Sequence, residues 1–133
     1  MRVEIRGDAY DLDADLVAED ESEIRRQLEE YAAGEREAFD LTVAFPERHL
    51  GDVMRAMREI PYGETRTYGD LAENLESGAV AVGQACGSNP LPIVVPCHRV
   101  VGSDGYGGFS AEGGVDAKRR LLAFERGEGL DRF

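Results

Sequence analysis

Apolar and polar positions follow two different periods along the chain, and each period predicts an element. "MRVEIR" sets Val3 and Ile5 between charges, the period of two of a short edge strand. In "EDESEIRRQLEEYAAG", Ile24, Leu28, Tyr31 and Ala32 share one helical face, and Gly34 supplies a stop. "FDLTVAF" reads as another short strand. Pro46 then opens a second helix, with Leu50, Val53, Met54, Met57 and Ile60 at i, i+3, i+4, i+7 and i+10; Pro61 and Gly63 break it. Thr67 caps a third helix running to about Leu75, with Asp70 in the capping-box position. Gly78 turns the chain into a fourth, from Ala79 to about Cys86. "PIVVP" reads as a buried strand ending on Cys97, His98 and Arg99. A glycine-rich loop, "GSDGYGGFSAEGG", leads to a last helix, "VDAKRRLLAFERG". The chain shows no internal repeat.

Three places admit two readings. The helices flanking Gly78 form either a helix-turn-helix or an ordinary αα-hairpin. The fourth helix carries almost nothing but small side chains: Ala79, Val80, Ala81, Val82, Gly83, Gln84 and Ala85. That suits close approach to a DNA minor groove, about 6 Å wide, or tight packing against another helix. In the last helix Glu125 shares a face with Lys118, Leu121 and Leu122. It is either a partly buried carboxylate or a last-turn glutamate opposed by the helix dipole.

Composition narrows the class. A length of 133 residues with 42% hydrophobic content fits one domain with a small appendage. Two cysteines, Cys86 and Cys97, make no disulfide framework and no metal knuckle. The N-terminus has no apolar signal-like region, and no run approaches a membrane span, so the expectation is a cytoplasmic protein with reduced thiols and no membrane partner. The formal charge of −12, with 27 acidic against 15 basic residues, ordinarily argues against nucleic acid. Lys118 is the only lysine, however, and acidic, lysine-poor chains suit molar salt, where the Debye length falls to about 3 Å. A halophilic setting would remove the objection to DNA.

The chemistry concentrates at Cys97. A thiol reacts as thiolate, so it needs a base or an electropositive site. His98 is adjacent, but strand neighbours point to opposite sides, so contact needs a turn after Pro96 or a bridging water. A buried histidine needs an acceptor, and Glu125 is the best-placed carboxylate. The residues suggest a Glu–His–(water)–Cys relay; Cys86, Cys97, His49 and His98 lack metal-like spacing, so no metal or other cofactor is expected.

These residues stand in longer motifs. "NPLPIVVPCHRV", followed by "GGFS…K…LLAFERG" and preceded by "IPYGETRTYGDLA", resembles the O6-alkylguanine-DNA alkyltransferases (methylated-DNA–protein-cysteine methyltransferases) over about residues 58–127. The resemblance implies an α+β, mostly α fold with a winged-helix-like helix-turn-helix. It divides the chain into a truncated acidic appendage, 1–45, and a catalytic and DNA-binding domain, 46–133. It implies DNA repair by irreversible transfer of an alkyl group from O6 of a flipped guanine to Cys97, once per molecule, without cofactor. His98 would be the water-bridged base, Glu125 its orienting carboxylate, and Asn89 the organiser of the turn before Cys97. Tyr68 would approach the base, Phe109 would stack on it, Ser110 would belong to the lid, and the carbonyls of Cys97 and Val100 would recognise the guanine amino group. Ala79, Val80, Ala81, Gly83 and Gln84 would form the DNA-binding set, with Arg99 placed in it too, although Arg99 also matches a structural arginine of the motif that would tie down the turn. The expected partner is double-stranded DNA, entered through the minor groove largely without sequence preference by a monomer.

The sequence departs from the pattern at Val80, where the family carries an arginine that replaces the flipped base in the stack. The turn before it is short, the helix after Pro46 lacks the usual Phe and Trp, and the N-terminal part is about half the usual size. A protein that recognises alkylguanine with little transfer is the alternative function; an acidic binding domain explains the charge but not the buried polar cluster.

Overall fold

The computed structural model describes residues 1–127; the last six residues of the expected 46–133 unit lie outside them. Strands β1 (Arg2–Ile5) and β2 (Asp8–Asp11) form an antiparallel hairpin with Val3 opposite Tyr10. Its two-residue turn is Arg6-Gly7, both at positive φ, the geometry that matches strand twist. Only β1 is legible as alternation; β2 is reached through this turn. Helix α1 (Glu21–Ala32) begins where Asp20 accepts from the Glu23 amide, and buries Ile24, Leu28 and Tyr31 as the pattern predicts.

Two expected elements differ. "FDLTVAF" is not a strand: it makes one isolated bridge, Val43 with Val17. Helix α2 starts at His49, not at Pro46, and runs to Arg58. Pro46 instead lies against its first turn, where a Cβ on Gly51 would sit 1.7 Å from the Pro46 carbonyl oxygen. Val53, Met54, Met57 and Ile60 are buried, while Leu50 is half-buried.

Strand β3 (Arg66–Thr67) leads into α3 (Tyr68–Asn74) through a complete capping box, Thr67 with Asp70. After the turn at Gly78, α4 spans Ala79–Gly87. β3 pairs in parallel with β4 (Val100–Val101), which directly follows the Pro-Cys-His-Arg segment. This pairing brings Tyr68, the first residue of α3, beside Cys97. Helix α5 (Gly114–Glu125) closes the described chain and buries Ala117, Lys118, Leu121, Leu122 and Glu125. The fold is α+β and mostly helical.

One buried cluster joins Val3, Ile5, Tyr10, Ile24, Leu28 and Tyr31 to Met54, Met57, Leu91, Val95, Cys97 and Leu121. The hairpin is tied to α5 and to the loop before it by Asp8–Arg120 at 2.7 Å and Arg2–Glu112 at 2.8 Å. No helix among the described residues is long and apolar enough to cross a membrane.

Candidate active site

The apolar run before Cys97 is not a strand. Val94 N donates to Pro92 O at 2.9 Å across Ile93, whose φ is +74°: a γ-turn in its rarer, strained form. Cys97 N donates to Val95 O at 2.8 Å across Pro96, at φ −81° and ψ 71°, the common inverse γ-turn. Cys97–Arg99 then form one 3₁₀ turn. Short apolar runs do not distinguish strand from packed turn, and the flanking prolines withhold the donors a central strand needs.

A β-branched residue at positive φ costs about 1–3 kcal/mol and persists only where neighbours fix it. Asn89 helps fix it from both sides. Its Nδ2 donates to Val95 O at 2.8 Å, and its Oδ1 accepts from Leu91 N at 3.1 Å. Val95 N closes the loop onto Leu91 O at 2.8 Å. The result is a packed floor with every residue from Leu91 to Val100 buried.

Cys97 sits on this floor at the edge of a pocket of about 430 Å³, lined also by Tyr68, Gly83, Cys86, Gly87, Gly108, Phe109 and Ser110. The expected base-contacting side chains Tyr68, Phe109 and Ser110 therefore meet around the thiol. Phe109 is half-buried, and its ring meets Tyr10 edge-on at 6.3 Å. Gly107, at φ +74°, lies so close to Tyr68 that a Cβ would stand 2.7 Å from its hydroxyl. Val100 is fully buried. Burial pushes the Cys97 thiol up, against smaller opposing effects of Asn89 and Lys118. The resting group is a thiol, which makes a base necessary. Cys86, beside it, is pushed up to about 12, chiefly by burial, and its Sγ lies 3.5 Å from Met57 Sδ.

Behind the thiol, Glu125 is the hub. Its Oε2 receives His98 Nε2 at 2.6 Å, Tyr31 OH at 2.6 Å and Arg99 Nη2 at 3.0 Å. Its Oε1 receives Arg99 Nε at 2.9 Å and Gly63 N at 3.2 Å. Burial alone would raise this carboxyl; the bonds from His98 and Arg99 outweigh it and hold Glu125 well below the usual carboxylate range. Burial lowers His98, with Arg99 and Lys118 adding to the effect and Glu125 opposing it, so the imidazole is neutral. A neutral ring facing an ionised carboxylate must place its one proton on Nε2. Nδ1 then carries a lone pair, and it is buried with no hydrogen-bond partner among the described residues. Although the chain does turn after Pro96, the structure gives no direct Cys97–His98 hydrogen bond, which leaves the water-bridged form of the relay.

One assignment is overturned. Arg99 does not belong to a DNA-binding set: it is 5% exposed, chelated by Glu125, and its Nη1 donates to Ile60 O at 2.7 Å. Of the other residues in that set, Ala79, Val80 and Gln84 are exposed, and Ala81 and Gly83 are half-buried. Val82, Ala85 and Cys86 face the core, as the packing reading of the small residues expects, and the opposite face of α4 is left exposed. Val80 is 77% exposed, and α4 carries no cation. Two groups escaped the sequence reading. Lys118 is fully buried, its Nζ 3.0 Å from Gly108 O and 3.4 Å from Tyr68 OH; burial lowers it. Its place on the Leu121–Glu125 face signalled burial, though not that contact. Tyr31 gave no signal beyond its helical face. His49 bonds Ser77 at 2.8 Å, away from the thiol. Among the described residues no group of three or more His, Cys, Asp or Glu is arranged to hold a metal.

The 6-O-methylguanine DNA methyltransferase DNA-binding domain family matches residues 50–127, more than half of the chain. A methylated-DNA–protein-cysteine methyltransferase of Methanosarcina acetivorans is 47% identical over 108 residues, covering 77% of this chain and 67% of that protein. One of Mycolicibacterium paratuberculosis is 48% identical over 111 residues, covering 75% and 62%. Mycobacterium tuberculosis OGT, solved in complex with DNA, superposes with a TM-score of 0.74 at 42% identity, covering 80% of this chain and 66% of that one. The chain thus spans about two thirds of the length of these relatives. Because the matched segment begins within α2 and runs to the end of the described residues, it contains the γ-turn floor, Cys97 and Glu125 together, and the chain belongs to the 6-O-methylguanine DNA methyltransferase family.

Proposed function

We propose that the protein repairs O6-alkylguanine in double-stranded DNA by moving the alkyl group onto Cys97 Sγ, once per molecule. The observation that carries this reading is the buried Cys97 thiol at the wall of a base-sized pocket, backed by a histidine whose free nitrogen is defined by Glu125. The alkylated carbon of O6-alkylguanine is inside the stack, so the nucleotide must be extruded to reach that pocket. α4 is the element that enters the minor groove; its exposed Ala79 and Gln84 allow close backbone approach, and Val80 acts as an apolar wedge.

In the transfer step His98 Nδ1, through one water, takes the Cys97 proton. The thiolate attacks the alkyl carbon in line; the S–C bond forms as the C–O6 bond breaks, and the electron pair passes to the guanine ring. Tyr68 supplies a proton to that ring and recovers one from Lys118, 3.4 Å away. His98 then loses its proton to solvent and Lys118 regains one from solvent, which completes the balance: the thiol hydrogen and the alkyl group have exchanged places. The thioether cannot be displaced again, so turnover stops at one.

Incubation of the protein with duplex DNA containing O6-methylguanine in high salt, followed by intact-mass and peptide-mass analysis, tests the reading. The expected result is one methyl on the Cys97 peptide. DNA retained on an unmodified Cys97 would establish the alternative, a recognition protein with little transfer, which Val80 at the arginine position favours.

A further inference from the structure

Glu125 Oε2 holds one donor that comes from outside the motif region. Tyr31 lies in α1, ninety-four residues away in sequence, fully buried among Phe39, Tyr62 and Phe124. Its hydroxyl and the His98 ring reach the same oxygen at the same distance, 2.6 Å. Donors on one oxygen compete for its electron density, so the phenol weakens the pull of that oxygen on the imidazole proton. The charged groups facing His98 are Glu125, Arg99 and Lys118; the charged and titratable groups facing Glu125 are Arg99, His98, Tyr31 and Tyr62. Of these, Tyr31 is a neutral donor bonded to the carboxylate, and its removal leaves the Arg99 chelate in place.

We propose that Tyr31 is a positioning residue for alkyl transfer: it fixes Glu125 Oε2 on His98 Nε2 and tempers its basicity, so that His98 stays neutral with Nδ1 free to take the Cys97 proton. The inference rests on the transferase reading. It makes the N-terminal helix part of the proton relay rather than a cover for the core.

The test compares the full chain, Tyr31→Phe and a control, Phe39→Leu, which disturbs the same aromatic cluster without touching Glu125. Two readouts are taken: the rate of Cys97 methylation by O6-methylguanine duplex between pH 5 and 9, and an NMR titration of the two histidines in the free protein. In Tyr31→Phe the His98 midpoint and the acid limb of the rate profile are expected to move up by about one pH unit. The rate would fall up to about tenfold below the limb and match wild type well above it. His49, exposed and remote, serves as internal reference. Phe39→Leu is expected to lower Tm and leave both midpoints unmoved. A His98 midpoint unchanged in Tyr31→Phe, or shifted equally by both variants, overturns the proposal. Wild type that fails to methylate Cys97 overturns the transferase reading instead, and the NMR midpoint still decides whether Tyr31 tunes His98.

Discussion

Asn89→Ala separates the architecture of the floor from the chemistry it carries. The substitution removes the bond to Val95 O and the bond from Leu91 N, at 2.8 and 3.1 Å. Leu91 and Val95 are both 0% exposed, so water reaches the freed groups poorly. Each lost bond costs about 1–1.5 kcal/mol net, and the strain at Ile93, about 1–3 kcal/mol, is held by one fewer constraint. The sum is a destabilisation of about 2–4 kcal/mol. At roughly 4 °C per kcal/mol for a chain of this size, Tm falls by about 8–16 °C. The floor also aims the thiol, and a displacement near 1 Å is worth about a hundredfold in rate. Calorimetry gives the first number; single-turnover transfer at a temperature where both proteins are folded gives the second. Asn89→Asp, which keeps the acceptor and loses the donor, should fall between. A Tm within 2 °C of wild type together with a rate within twofold would refute the view that Asn89 supports the γ-turn pair.

Other outcomes follow from single contacts. Glu125→Gln leaves the buried Arg99 without its anion and turns an amide donor toward Arg99 or His98, so a loss of about 3–5 kcal/mol is expected in urea unfolding. Acidification should destabilise the wild type in two stages. His98 is depressed on folding, so its contribution is present above its unfolded value and fades below about pH 6.5; Glu125 is likewise depressed, and its larger contribution fades below about pH 4.5. A midpoint of urea unfolding that stays flat from pH 7 to 4 would contradict both. Val80→Arg is expected to leave Tm unchanged, to speed repair of duplex but not of single-stranded substrate, and to steepen the log–log salt slope of DNA binding by about one. Tyr10→Phe removes a buried hydroxyl that has no hydrogen-bond partner among the described residues, so Tm should rise by a few degrees, equivalent to about 1 kcal/mol.

What the sequence made legible was local. The face of α1, the stripe of α2, the Thr67–Asp70 box and the burial of Glu125 each depend on residues within about three turns of one another, and each is found in the structure. The stretch 92–96 misled for a local reason too: hydrophobicity reports burial, and two consecutive γ-turns bury side chains as completely as a strand does. The DNA-binding placement of Arg99 comes from the resemblance and not from its own surroundings, and its partners, Glu125 and the Ile60 carbonyl, lie 26 and 39 residues away, beyond what spacing reveals. The contacts of Tyr31 with Glu125 and of Lys118 with Tyr68 span 94 and 50 residues. No spacing rule reaches that far; only the need of a buried phenol or ammonium for a partner hinted that such contacts exist.

The buried charges also explain why an acidic chain can support this chemistry. Around Cys97 the ionised groups are Glu125, Arg99 and Lys118, which sum to one positive charge while the thiol is protonated. Glu125 and Arg99 chelate each other, so the uncompensated charge is the Lys118 ammonium, placed against Tyr68 on the pocket side. When the thiolate forms and the guanine ring takes the electron pair, negative charge develops where that ammonium already stands. Against the largely buried wall of the pocket such a fixed charge acts more strongly than in bulk water and needs no reorganisation. The −12 of the whole chain belongs mostly to exposed side chains, whose field salt screens over a Debye length, about 8 Å at physiological ionic strength and about 3 Å in molar salt. If DNA approaches α4 as proposed, net charge bears on that approach, α4 itself carrying no cation, and hardly on the transfer step. On the proposed reading chemistry and delivery are separable: salt and Val80 bear on the second, Glu125 and its donors on the first.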